Sequence, residues 1–234
     1  MNPMEIKALT FDTGGTVLDW HGGISRAFAT AGSKHGLAAD WGAITNEYRR
    51  RSLKGIVGQV NPAFNFDDVH RRMLDEVIAD FKLEALTAAD RDAIWRTWHA
   101  LDAWPDFGDA LARLRRKYVV ASFTLLTTSL VIDVSKKNGL DWDAIISCEM
   151  TGVYKTRPEA YQRAAKWLQL EPAEILMVAC HNFDLNAALA CGYQTAFVRR
   201  PDEWGKEGPP DPAPNPAHTM VVDTFAELAE RLGA

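Results

Sequence analysis

The stretch Ala8-Leu9-Thr10-Phe11-Asp12-Thr13-Gly14-Gly15-Thr16-Val17 constrains this chain most. An apolar run stops at an aspartate and passes into small residues. That pattern predicts a buried β-strand followed by a tight turn. In an open parallel sheet, ligands gather at the carboxyl ends of the strands. Gly14 and Gly15 leave Asp12 open to close approach by a ligand. The same ten residues also suit an aspartate that only caps the turn. The remainder of the chain has to decide between the two.

The remainder supplies alternation. Val17 to Gly23 reads as a linker, and from Ile24 to about His99 the apolar spacing is helical, with no good strand. Asp40 and Asp67 are candidate helix caps, and Thr87-Ala88-Ala89-Asp90 resembles a capping box. From Asp106 onward, helices and strands alternate. Helices are expected over 106–117, 130–138, 158–170, 184–191 and 225–232. Strands are expected over 118–126, 144–148, 175–180, 195–198 and 220–222. Gly139 is placed to end a helix, Pro158 to begin one, and Thr224 to cap the last. The proline-rich run from Pro209 to Pro216 must be extended surface loop. This order predicts an α/β fold with a parallel sheet, in which 19–101 is a helical cap inserted into a core formed by 1–18 and 102–234.

At 234 residues there is enough chain for a sizeable core, as one large domain or two small ones. Hydrophobic residues make up 47% and the net charge is −5, with no basic stripe, so nucleic acid is not an expected partner. No apolar run is long enough to cross a bilayer. Met1-Asn2-Pro3-Met4-Glu5 lacks the regions of a secretory signal, which makes the cytoplasm the expected compartment. Cys148, Cys180 and Cys191 are odd in number and lack metal-ligand spacing, so they read as reduced core thiols.

Four polar residues fall just after predicted strands: Asp12, Thr124, Lys155 and Asp184. Each can reach one crevice. A carboxylate nucleophile needs a nearby cation to stay charged and polar groups to position water. Each residue also has a plainer use: a loop lysine, a strand threonine, an N-cap aspartate.

The order nucleophilic Asp, Ser or Thr, Lys, acidic cluster resembles the haloacid dehalogenase superfamily, over most of the chain. Finer matches resemble its type II 2-haloacid dehalogenase branch. They are Phe11-Asp12-x-x-Gly15-Thr16, Leu140-Asp141-Trp142-Asp143-Ala144-Ile145, Tyr154-Lys155 with Tyr161, Ala179-Cys180-His181-Asn182-Phe183-Asp184, and Thr195 to Pro201 with Glu203. The resemblance implies a Rossmann-like core with a helical cap. It implies that Asp12 displaces halide from a short 2-haloalkanoate and that water then hydrolyses the resulting ester to a 2-hydroxy acid. Lys155 would keep Asp12 ionised, Thr16 would support its loop, and Asp184 would orient or activate water. Thr124 would bind the substrate carboxylate, with Thr13, Gly14, Tyr161 and His181 around it. Arg49, in Tyr48-Arg49, stands where the branch receives the leaving halide. No cofactor and no metal are implied, and a homodimer is left open.

Departures from the pattern bear on reaction type. Phosphatases of the superfamily place an acid two residues after the nucleophile, to protonate the leaving alcohol, and an acidic pair four residues apart to hold Mg²⁺. Here Gly14 stands at the first position and Cys180 with Asp184 at the second. A thiol is a poor substitute for a hard oxygen ligand. Halide leaves without a proton, so both absences suit dehalogenation. In the opposite sense, Gly14 replaces the aromatic residue usual in dehalogenases. Leu125 and Ala179 likewise replace an Asn and a Ser. The alternatives are a Mg²⁺-dependent phosphatase and a fold relative with impaired catalysis.

Overall fold

The computed structural model describes residues 5–57, 65–209 and 212–234. Met1 to Met4 of the leader reading, and Pro210 and Asp211 of the proline loop, lie outside them. Strands β1 (Ala8–Phe11), β2 (Val119–Thr124), β3 (Ala144–Ser147), β4 (Ile175–Ala179), β5 (Gln194–Val198) and β6 (Met220–Val222) form one sheet in the order β3-β2-β1-β4-β5-β6. Every pairing is parallel. The connections run outward in both directions from β1 and β4. Their carboxyl ends are therefore the switch point at which such sheets bind ligands.

β1 is buried along its whole length, which explains why it reads as a continuous apolar run. Its residues alternate between two apolar layers. Leu9 and Phe11 join Val120, Val178 and Val198 on one face. Ala8 joins Phe123, Met177 and Phe197 on the other. Between them, the Thr10 hydroxyl is satisfied by the Met177 sulfur at 3.2 Å. Period-two alternation thus builds both sides of the core from one strand.

Between β1 and β2 lie helices α1 (Trp20–Lys34), α2 (Trp41–Val57), α3 (Phe66–Asp80) and α4 (Ala88–Arg96), then a 3₁₀ turn over Thr97–Ala100. These helices pack on one another through Phe28, Ile44, Tyr48, Val69, Val77 and Trp98, all buried. The capping box at Thr87 and Asp90 is present with both of its hydrogen bonds. Two local expectations need correction. Asp19 accepts the Gly22 N–H at 2.8 Å, so α1 begins at Trp20 and much of the expected linker is helical. Asn65, rather than Asp67, caps α3. Asp67 is one residue inside the helix and turns toward the core.

The later helices are α5 (Phe107–Arg115), α6 (Thr128–Asn138), α7 (Cys148–Thr151), α8 (Pro158–Leu168), α9 (Asn182–Ala190) and α10 (Phe225–Arg231). Gly139 ends α6 with φ +64°, and Thr224 caps α10. Among the described residues, no helix is long and apolar enough to cross a membrane.

His99 ties the inserted helices to α6. Its Nδ1 lies 2.7 Å from Asp133, its Nε2 lies 3.3 Å from Asp67, and Asp67 also accepts from the Thr127 hydroxyl at 3.1 Å. Asp67, against burial and with help from Asp133, raises the His99 pKa above its ordinary value. The folded-state pKa exceeds the unfolded one, so this stabilisation is complete below about pH 6.5 and fades as pH climbs through the folded value. The difference in melting temperature between wild type and His99→Asn is therefore expected to be largest in mild acid and to shrink toward alkaline pH. A thermal-denaturation series against pH measures it, and a difference that grows with pH would contradict the assignment.

Candidate active site

Asp12 follows β1 directly, its backbone N–H held by the Val178 carbonyl at 2.9 Å. The strand thus delivers the carboxylate to the edge shared by β2 and β4. Asp12 Oδ1 lies 3.2 Å from Lys155 Nζ. Oδ2 accepts the Thr16 hydroxyl at 2.8 Å and lies 3.1 Å from His181 Nδ1. The aspartate is not a turn cap: besides the nearby Thr16, its oxygens face Lys155 and His181 from distant parts of the sequence.

Lys155 is buried and shared. Its ammonium lies 2.6 Å from Asp184 Oδ2, and the Tyr161 hydroxyl donates to Asp184 Oδ1 at 2.5 Å. Pro158 starts α8 and so places Tyr161 under the beginning of α9. Asp184 is the third residue of α9, where helix N-termini favour a carboxylate. Both Asp184 oxygens are thus engaged, one by the lysine and one by the tyrosine.

On the other side of Asp12, His181 Nε2 lies 2.9 Å from Glu203 Oε1. Glu203 follows β5 as His181 follows β4, and it also accepts the Trp20 indole N–H at 3.1 Å. Gly15 makes room for this carboxylate. It adopts φ +96°, and a Cβ there would collide with the Glu203 carboxylate. Trp104 fixes the turn by donating to the Gly15 carbonyl at 2.8 Å.

Arg49 comes from α2 and covers the site. It is 4% exposed, and its guanidinium lies 5.4 Å from the Trp20 ring and 5.3 Å from the Trp98 ring. Its Nε and Nη1 are buried and have no hydrogen-bond partner among the described residues. A cation with unspent buried donors is prepared for an anion. Gly14 permits this approach: a Cβ there would come within 3.2 Å of Arg49 Nη2. Thr124 ends β2, and its hydroxyl accepts the Leu126 N–H at 3.1 Å, leaving its own proton to donate. Thr13 turns away, its hydroxyl 2.7 Å from that of Ser122, so its backbone is what borders the site.

The charges are arranged to keep Asp12 ionised. Burial alone would raise its pKa; Lys155, His181 and Thr16 overcome that and hold it well below the usual carboxylate range. Burial would discharge Lys155, but Asp184 and Asp12 raise it. Burial works against charged His181 as well, yet the Glu203 and Asp12 carboxylates on either side of it lift it well above the ordinary imidazole value. Two cations, Lys155 and His181, thus lie against the Asp12 carboxylate, with Arg49 a third above them. Burial lowers Arg49 somewhat, against Glu203 and Asp12. The Cys180 thiol is pushed by burial up to about 11 and stays protonated.

Mg²⁺ fits these residues poorly. Lys155 and Tyr161 already occupy Asp184, and the residue four positions earlier is the soft donor Cys180. Nor is there an acid at Gly14 to serve a leaving alcohol.

An ionised carboxylate at the switch point of a parallel sheet, held by a lysine beneath the helices that lie between β1 and β2, suits a hydrolase. The chain belongs to the haloacid dehalogenase-like hydrolases, whose family profile matches residues 6–192. Within that family it is similar to (S)-2-haloacid dehalogenase 4A of Burkholderia cepacia, 26% identical over 83% of this chain and 84% of that one. It also resembles two solved structures. One is the defluorinating L-2-haloacid dehalogenase Rha0230 (34% identity, TM-score 0.89, 98% of this chain and 96% of that one). The other is the L-2-haloacid dehalogenase PA0810 (31%, TM-score 0.88, 97% and 99%).

The structure brings Asp12, Thr16, Lys155, Asp184, Tyr161, His181, Thr124 and Arg49 to one place. Sequence reasoning gave no role to Glu203, Trp20 or Trp98. Glu203 could have been found by the rule that found the others, since it lies just beyond the fifth strand. Trp20 and Trp98 carry no such signal, because the helical packing alone brings them to Arg49.

Glu203→Gln is expected to lower the His181 pKa, because one of the charges that raises it is removed. A histidine NMR titration reads the shift. Gly15→Ala is expected to destabilise the protein by about 1 kcal/mol or more, through the positive φ and the collision with Glu203, as a denaturant titration would show.

Proposed function

We propose that this chain is a 2-haloacid dehalogenase that hydrolyses the carbon–halogen bond of short (S)-2-haloalkanoates to 2-hydroxy acids through an ester on Asp12. The observation that carries the reading is the setting of Asp12: ionised between Lys155 and His181, beneath a buried arginine whose donors are unspent. The named relatives are dehalogenases of this substrate class. In this reading residues 19–101 form the cap and the flanking segments form the catalytic core.

In the first step Asp12 Oδ attacks the halogen-bearing carbon and halide departs toward Arg49. The guanidinium stabilises charge as it develops on the halogen, and the rings of Trp20 and Trp98 keep water out of its way. Thr124 and the backbone after Asp12 hold the substrate carboxylate. Lys155 stays charged because Asp184 and Tyr161 pin it. Ester formation removes the negative charge from Asp12 and with it part of what held the His181 proton. His181 then releases its Nδ1 proton to solvent. This matches the net acid produced when a haloacid becomes a hydroxy acid and halide.

In the second step water attacks the ester carbonyl carbon of Asp12. Neutral His181 accepts the water proton at Nδ1 while Nε2–H donates to Glu203, which fixes the tautomer. Collapse frees the hydroxy acid and restores ionised Asp12 beside charged His181. Asp184 orients Lys155 in this scheme, and the water-activating part falls to His181 with Glu203. Halide departs without an acid, in keeping with Gly14, and the hydroxy acid's oxygen takes the second proton of the attacking water as the tetrahedral intermediate collapses.

Halide release from a panel of short 2-haloacids tests the reading. Activity is expected in chelator, and a single turnover in heavy-oxygen water should leave the label in Asp12. Asp12→Asn should be inactive. His181→Gln should form the ester but hydrolyse it about 10²–10⁴ times more slowly, so that the ester accumulates and is seen by intact-protein mass spectrometry. Active enzyme with no label in Asp12 would falsify the covalent route. A His181→Gln variant that turns over normally would remove the histidine from the second step.

A further inference from the structure

Cys180, His181 and Glu203 form a compact group whose donor atoms all lie within 4.8 Å of one another. Cys180 Sγ is 3.4 Å from His181 Nε2 and 3.6 Å from Glu203 Oε2, and Nε2 is 2.9 Å from Glu203 Oε1. We propose that these three side chains bind one thiophilic divalent cation of the zinc class, and that the cation acts as an inhibitor rather than a cofactor.

The geometry suits such an ion. Zinc bonds of about 2.3 Å to sulfur and 2.0–2.2 Å to nitrogen and oxygen separate neighbouring ligands by roughly 3–4 Å, as here. The donor set is a thiolate, an imidazole and a carboxylate, which favours zinc, cobalt or cadmium over magnesium. Residues 180 and 181 follow β4 and residue 203 follows its neighbour β5, so the sheet itself holds the donors together. Each donor is already oriented by a second partner. His181 Nδ1 faces Asp12 at 3.1 Å, Trp20 donates to Glu203 at 3.1 Å, and Thr16 lies 3.4 Å from the Cys180 sulfur. A histidine that binds metal with one nitrogen and holds a carboxylate with the other is the usual second-layer arrangement. On binding, the thiol and the imidazolium Nε2–H each lose a proton to solvent; thiolate and carboxylate together neutralise the ion's two charges. The side chains of Cys180 and Glu203 are buried, while His181 is 15% exposed and gives the ion its path.

The inhibitory consequence rests on the role given to His181 above. A cation on Nε2 takes the lone pair there and holds the proton on Nδ1. That nitrogen can then no longer accept a proton from water, and the enzyme stalls as the ester.

The test uses the full chain, stripped with chelator and then titrated. Zn²⁺ competed against a chromophoric chelator should bind one ion per chain. Co²⁺ should give a thiolate-to-cobalt charge-transfer band in the near ultraviolet. Cys180→Ser should abolish the band and weaken Zn²⁺ about 10–100-fold, Glu203→Gln should weaken it in the same direction, and Cys191→Ser should change neither. Mg²⁺ should not compete. Absence of the cobalt band in wild type, or Zn²⁺ binding undiminished in both Cys180→Ser and Glu203→Gln, overturns the site. The cobalt spectrum keeps the proposal testable even if a variant fails to fold. In turnover assays Zn²⁺ should trap the ester and chelator should release it. Metal bound at Cys180 with turnover unchanged would overturn inhibition and the proton-accepting role of His181 together, separately from the binding result.

Discussion

The site depends on one ammonium serving two carboxylates in a largely buried place. Lys155 lies 3.2 Å from Asp12 and 2.6 Å from Asp184. Left alone, each of the three would lose its charge to burial. Of the two carboxylates, Asp12 is the one that solvent touches, its side chain 11% exposed against 1% for Asp184. Breaking such a buried group by removing a single member leaves an uncompensated charge, a loss of about 3–5 kcal/mol. Catalysis and stability are therefore coupled at Lys155.

The second cation, His181, differs in kind. On the proposed mechanism Lys155 is locked by a partner that never changes, whereas His181 sits between Asp12, which would cycle between charge and ester, and Glu203, which would not. Its proton affinity follows the state of Asp12. One histidine can thus support the carboxylate while it attacks and deprotonate water once the ester has formed. That economy makes the residue vulnerable, since a neighbouring thiol and carboxylate complete a metal-binding triad around its other nitrogen.

Much of the core was legible in the chain because its signals are local. Ala8 to Phe11 is apolar throughout and is buried on both faces; Gly139, Pro158 and Thr224 stand at helix ends as their backbone chemistry requires. Post-strand positions then led to Asp12, Thr124, Lys155 and Asp184. Where the reading slipped, two local signals competed. Gly22 and Gly23 suggested a linker, but Asp19 caps a helix that runs through them. Asp67 looked like a cap, but Asn65 does that work and frees Asp67 to reach His99 and Thr127. Glu203, just past the fifth strand, fell under the same rule without being given a role, whereas the roles of Trp20 and Trp98 were hidden because each depends on how the helices fold back over the sheet.

Arg49 and Asp12 lie on opposite sides of a nearly sealed boundary, with Gly14 pressed against the guanidinium and little of either side chain reached by solvent. On the proposed mechanism a haloacid has to come between them, and both halide and hydroxy acid have to leave from there. On that mechanism each cycle would require the helices above to part from the β1 turn and settle again. The pace of that parting is a ceiling on turnover that no improvement in nucleophile or leaving group can raise.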